Sequence, residues 1–161
     1  SDTEKLYNYE FSSIFELDNK LYVGGSYKTD INDTDAVIVR FDLDGYFIDE
    51  VLYHGKSYDK YNRIIKDEND NIIAIGIMST NRNVKSDTVD EYDYDGIISK
   101  YKPNLEKVVV MNYGDENDDF FTDIILDGNN YLVVGYSSYE DGSYLSKFIN
   151  YSSALKVLEV E

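Results

Sequence analysis

Asn19-Lys20-Leu21-Tyr22-Val23-Gly24-Gly25-Ser26 returns twice in variant form, as Asn71-Ile72-Ile73-Ala74-Ile75-Gly76-Ile77-Met78-Ser79 and as Asn130-Tyr131-Leu132-Val133-Val134-Gly135-Tyr136-Ser137. Each copy reads as an apolar strand entered from an Asp/Asn/Gly turn and ending near a glycine. Around it sits a unit of roughly fifty residues, a period at which each repeat is one supersecondary unit.

Outward from this stretch, each unit offers four strands. The first has Ser12–Leu17, Leu21–Ser26, Ala36–Phe41 and Phe47–Tyr53; the second has Arg63–Lys66, Ile72–Ser79, Gly96–Tyr101 and Lys107–Asn112. The third has Thr122–Leu126, Tyr131–Ser137, Ser143–Phe148 and Ala154–Val160. Asp18-Asn19, Asp42-Leu43-Asp44-Gly45, Asp67 to Asn71 and Asp127 to Asn130 supply turns, since Asn, Asp and Gly accept positive φ. Residues 31–35 read as a polar loop, and the segment from Thr80 to Asp95 as a long polar insertion. The partition is a leader strand at 1–11, then repeats over 12–61, 62–120 and 121–161. The leader resembles the last strand of a preceding repeat.

The second strand of each unit is apolar at successive positions. In the second unit Ile72 and Ala74 point one way, Ile73 and Ile75 the other. A sheet with one wet face shows polar residues at alternate positions; two apolar faces place the sheet between two others. The expected fold is all-β, with three four-stranded antiparallel propeller-type blades. Since propellers use at least four blades, three units form either a partial propeller or half of a dimeric six-bladed ring.

The joints repeat as well. Gly55 to Tyr61 aligns without a gap on Gly114 to Phe120, making Asp59 and Asp118 equivalent. In the third strands, Arg40, Lys100 and Lys147 each follow an apolar residue two places before (Ile38, Ile98, Leu145). These bases are expected to be structural ion-pair partners of Asp59 and Asp118.

With these residues in view, the repeat resembles the bacterial seven-bladed propeller repeat of the SBBP type. The resemblance is carried by Val134-Gly135-Tyr136-Ser137-Ser138, by Tyr94-Asp95-Gly96-Ile97-Ile98-Ser99-Lys100-Tyr101, and by Tyr113-Gly114 through Asp118 and Phe120. It spans almost all of residues 12–161. It implies a scaffold of secreted and surface proteins, an extracellular or cell-surface bacterial location, and no activity.

Composition narrows function further. The 161 residues carry 32 acids against 15 bases, a net charge of −17, and such a surface repels nucleic acid and anionic lipid. There is no cysteine, hence no disulfide framework and no thiol nucleophile. No apolar run is long enough for a spanning helix, so no membrane insertion is expected.

No catalytic constellation is legible, and the expectation is a non-enzyme. His54 is the only histidine, and it aligns with Tyr113 as a packed ring. Asp42, Asp44, Asp115 and Asp118 sit in oxygen-rich loops and are the candidate metal ligands, with calcium the one cofactor considered; turn propensity explains the same residues. Tyr27, Tyr58, Tyr136 and Tyr139 are the candidate ligand-binding residues, because Tyr/Asn/Ser loops suit protein or glycan partners. The leading reading is an extracellular module presenting loops to a protein or glycan ligand. The alternative is a structural or self-assembling scaffold module of a larger surface protein, associating as a homodimer.

Overall fold

The computed structural model describes residues 7–80 and 93–161. The long insertion expected between Thr80 and Asp95, and most of the leader, lie outside the described residues. The rest is all-β, three four-stranded antiparallel sheets following one another along the chain. Sheet 1 contains β1 (Tyr9–Leu17), β2 (Lys20–Asp30), β3 (Asp33–Asp42) and β4 (Phe47–Tyr53). Sheet 2 contains β5 (Lys60–Lys66), β6 (Ile72–Thr80), β7 (Asp93–Tyr101) and β8 (Lys107–Tyr113). Sheet 3 contains β9 (Asp118–Asp127), β10 (Asn130–Ser138), β11 (Tyr144–Tyr151) and β12 (Val157–Val160). Each is a meander, its strands hydrogen-bonded in chain order.

Two sequence expectations are corrected here. Residues 9–11 are not a separate leader strand but the start of β1, which continues through a bulge between Phe11 and Ser13. The bulge puts polar Ser12 out of alternation, and a broken alternation looks like a strand end. The polar loop expected over residues 31–35 is only a turn at 31–32: β2 runs to Asp30 and β3 starts at Asp33.

The same bulge recurs at Asn62 and Thr122. Opposite each bulge lies a glycine: Phe11 pairs with Gly25, Tyr61 with Gly76 and Phe121 with Gly135. A Cβ at any of these glycines would overlap the carbonyl oxygen of Glu10, Lys60 or Phe120. The repeated glycine is thus Gly25, not Gly24.

Sheet 2 is buried on both faces. Ile72 and Ala74 join Tyr22, Ala36 and Ile38 of sheet 1 in one apolar cluster, whereas Ile73, Ile75 and Ile98 join Phe121, Tyr131 and Val133 of sheet 3 in another. Ile72, Ile73, Ala74 and Ile75 are all fully buried, so their burial stabilises two interfaces at once, at about 25 cal/mol per Å² of apolar surface removed from water.

The first strands of the sheets are tied directly. At the bulges, Ser12 Oγ donates to the Tyr61 carbonyl at 2.6 Å and Asn62 Nδ2 donates to the Phe121 carbonyl at 2.7 Å. A bulged side chain is unconstrained by its own ladder, and here it satisfies the neighbouring sheet's backbone.

Candidate functional site

Two places concentrate chemistry: the joints between sheets, where carboxylates are buried, and the outer faces of sheets 1 and 3, where apolar side chains are exposed.

At the first joint Asp59 is fully buried. Its Oδ2 accepts the Gly55 N–H at 2.6 Å and its Oδ1 the Ser79 N–H at 2.9 Å. Burial pushes its carboxyl up to about 6; the two amide donors oppose that rise, and the Asp35 and Asp33 charges add to it. Asp35, nearly fully buried on β3, lies 2.7 Å from His54 Nδ1. Burial raises the Asp35 carboxyl as well, and His54 offsets part of the rise.

The second joint repeats the plan. Asp119 Oδ2 accepts the Asp115 N–H at 3.1 Å, Lys147 Nζ lies 3.3 Å from its Oδ1, and Ser137 Oγ donates to that same oxygen. Asp95, the counterpart of Asp35, accepts from Asn112 Nδ2 at 2.8 Å. In both joints a link amide caps a buried carboxylate four residues on, a local turn device.

This geometry shifts three sequence equivalences by one or more residues. Asp59 corresponds to Asp119, not Asp118; Asp118 instead accepts the Tyr94 N–H at 2.9 Å. Tyr53, opposite Ala36, corresponds to Tyr113, opposite Gly96. His54 is therefore not a packed ring: its side chain is 68% exposed, with its Nδ1 edge against Asp35. Because Gly25, Gly76 and Gly135 pair with Val37, Ile97 and Lys147, Lys147 is not the counterpart of Arg40 and Lys100; that position in sheet 3 is Asn150.

The three bases do lie against carboxylates, but different ones. Arg40 makes a two-pronged pair with Asp49 on its own sheet, and its Nη1 donates to the Pro103 carbonyl of sheet 2 at 3.0 Å. Lys100 Nζ lies 3.5 Å from Asp67 Oδ2 and donates to the Ser153 carbonyl of sheet 3 at 3.0 Å. Both bases thus tether their own sheet to the next sheet's last turn. Lys147 pairs with Asp119 and lies over the Tyr113 ring, 5.3 Å from its centroid. Among the described residues Asp59 pairs with no base. Asp67 is held below the usual carboxylate range: burial alone would raise it, but donors on Asn71, Tyr131 and Asn69 reverse the direction.

The candidate metal ligands divide between two places. Asp42 accepts the Asp44 and Tyr46 N–H groups at 3.0 and 2.8 Å and so caps the β3–β4 turn. Asp115 accepts the Asn117 N–H at 2.8 Å in the second joint, near Asp118 in sequence. Among the described residues no group of three or more His, Asp or Glu side chains is arranged to hold a metal ion.

Nor do the four candidate tyrosines converge. Tyr27 packs on Tyr9 over the outer face of sheet 1, with ring centroids 4.6 Å apart. Tyr136 stacks on Phe120 at 4.9 Å on the outer face of sheet 3. Tyr58 bridges to Thr34 at the first joint, and Tyr139 occupies the β10–β11 turn.

What the sequence did not single out are the end faces. On sheet 1, Phe11 and Ile14 are exposed around the cluster of Val23, Val37, Val39 and Phe41, and a concavity of about 450 Å³ opens there, reaching Gly45. On sheet 3, Ile125 and Phe148 are exposed, and a concavity of about 610 Å³ is lined by Val134, Tyr136 and Phe148. Contiguous exposed apolar surface of this kind marks interaction sites. Among the described residues no helix is long and apolar enough to cross a membrane. No family model and no curated protein matches the chain.

Proposed function

We propose that this chain is a non-enzymatic, propeller-type scaffold module that works by stacking sheets, its two end faces serving as assembly surfaces. The carrying observation is the double burial of sheet 2 beside end sheets whose corresponding faces are open. The radial, blade-like arrangement is supported by the Ser12–Tyr61 and Asn62–Phe121 bonds, which set the first strands of successive sheets side by side. The resemblance to the SBBP-type repeat fits the same reading and, with it, a bacterial extracellular or surface location.

Display of loops to a protein or glycan is the weaker reading, because the four candidate tyrosines do not share a surface. Site-specific photo-crosslinking separates the two in the cells that make the protein. A photoreactive residue at Phe148 should give adducts, and one at Tyr139 should not. Adducts through Tyr139 alone would return the function to the loops.

A further inference from the structure

Each internal interface joins the rear of one sheet to the front of the next. The rear face of sheet 1 carries Tyr22 and Ile38, and that of sheet 2 carries Ile73 and Ile98. In sheet 3 the corresponding residues are Leu132 and Phe148, and Phe148 is 51% exposed. The front faces correspond equally: Tyr61, Ile64 and Tyr101 in sheet 2, and Phe121, Ile124 and Tyr151 in sheet 3, are all buried against the preceding sheet. Their counterparts in sheet 1 are Phe11, Ile14 and Phe41, and Ile14 is 61% exposed. The open rear of sheet 3 and the open front of sheet 1 therefore carry the two halves of an interface that the chain already makes twice.

The joint carboxylates say what occupies those faces. Two residues before the glycine-paired residues Phe11, Tyr61 and Phe121 stand Tyr9, Asp59 and Asp119. Two residues before Val37, Ile97 and Lys147, the third-strand partners of the same glycines, stand Asp35, Asp95 and Leu145. Buried Asp pairs thus mark both internal joints, and both members are replaced at the ends, by Tyr9 in front and Leu145 behind. Internally the covalent link supplies the Gly55 and Asp115 amides that cap Asp59 and Asp119. Where two sheets meet without a link, those donors are missing, and a buried carboxylate there would be left short of partners. Tyr and Leu need no such donors. The end faces are built for a neighbour that is not covalently linked.

Resting on the scaffold reading, we infer that this neighbour is a second copy of the chain, with the rear of its sheet 3 on the front of sheet 1, and Leu145 meeting Tyr9 where the internal joints place two acids. Thr122 Oγ1 sits 3.2 Å from the Val134 carbonyl, just as Ser12 Oγ sits 3.2 Å from the Gly24 carbonyl. It is thus placed to repeat, on the second copy's Phe11 carbonyl, the bond that Ser12 makes to Tyr61. A head-to-tail contact either closes or runs on as a filament. Two copies give six sheets, within the range of closed propellers, and the pair closes through two identical interfaces.

Light scattering of the purified full chain tests this, alone and with Ile14→Asp and Phe148→Asp, both at exposed positions and both checked for native circular dichroism. The expected mass is about 37 kDa, twice the 18.6 kDa chain. Each variant should fall to the single-chain mass, and mixing the two should restore the double mass, since an intact rear then meets an intact front. A wild-type chain that stays single at about 1 mM overturns the second copy, a concentration at which even weak pairs form. The scaffold reading would still stand if Phe148 crosslinks to a different protein. One variant remaining double while the other falls means like faces pair, which overturns the head-to-tail contact. A mass that climbs without plateau means an open stack and overturns the closed pair.

Discussion

The Gly55 amide and the Asp59 carboxylate, four residues apart, close the link between sheets 1 and 2: the N–H donates to Oδ2 at 2.6 Å while Asp59 is wholly buried. Burial raises its pKa to about 6, above the ordinary aspartate value of 3.8. The folded state therefore holds this proton more tightly than the unfolded state. The contribution is fully present below about pH 4 and is lost as pH rises to about 6, a swing of roughly 3 kcal/mol at about 1.4 kcal/mol per unit. Asp59→Asn should be less stable overall, because one of the two amides loses its acceptor. The difference in stability between pH 4.5 and pH 7 should also be smaller in the variant than in the wild type. Urea midpoints of both proteins at both pH values check this, and equal pH differences would refute the assignment to Asp59.

Lys147 and Asp119 form a pair that is largely withdrawn from water. Lys147→Met leaves Asp119 buried without its cation, and should cost about 3–5 kcal/mol. Lys102→Met breaks the exposed pair with Glu106 and should leave the stability nearly unchanged, because solvent screens such a pair. Chemical denaturation of the two variants gives the contrast, and similar losses would show that the Asp119 environment is wetter than its burial indicates.

Gly76 faces the Lys60 carbonyl at the sheet 2 bulge, with no room for a methyl group. Gly76→Ala should destabilise by more than about 3 kcal/mol, in the range of changes that force the backbone to move. Gly142 has φ +82° and open space around it, so Gly142→Ala should cost only the left-handed strain, about 1–2 kcal/mol. Thermal unfolding of both variants orders them.

Leu105 and Leu155 occupy the turn position of Gly45, all three with positive φ, at 67°, 57° and 85°. The leucines accept that strain because their side chains are buried against the neighbouring sheet. Leu155→Ala loses the burial and keeps the strain, at about 2–5 kcal/mol. Leu155→Gly loses the same burial but relieves about 1 kcal/mol of strain. The glycine variant should therefore melt higher than the alanine variant, the reverse of the order in a strand interior.

The twelve strands were legible because Val, Ile, Tyr and Phe alternate between Asn/Asp/Gly turns, and the two-faced burial of β6 was legible in Ile72 to Ile75. The register between repeats was not. Matching by residue type set Gly55 against Gly114 and Lys147 against Arg40, and turns of unequal length, two residues between Leu17 and Lys20 but five between Lys66 and Ile72, set Gly24 against Gly76, so Gly24 stood in for Gly25, Asp118 for Asp119 and Lys147 for Asn150. The end faces were hidden for a related reason. Ile14 and Phe148 are as apolar as their buried counterparts Ile64 and Ile98, and only the stacking order shows which of them remain uncovered.

The amides of Gly55 and Asp115 also mean that the connecting peptide is a structural part in its own right. If the chain were severed between Tyr53 and Asp59, every strand would survive, yet the carboxylate would face a donor no longer held at fixed reach. Split-protein halves cut in that link should reassemble poorly, while halves cut at the Asp141-Gly142 turn, where the Gly142 amide donates to the Tyr139 carbonyl and the Ser143 amide to Asp141, should find each other.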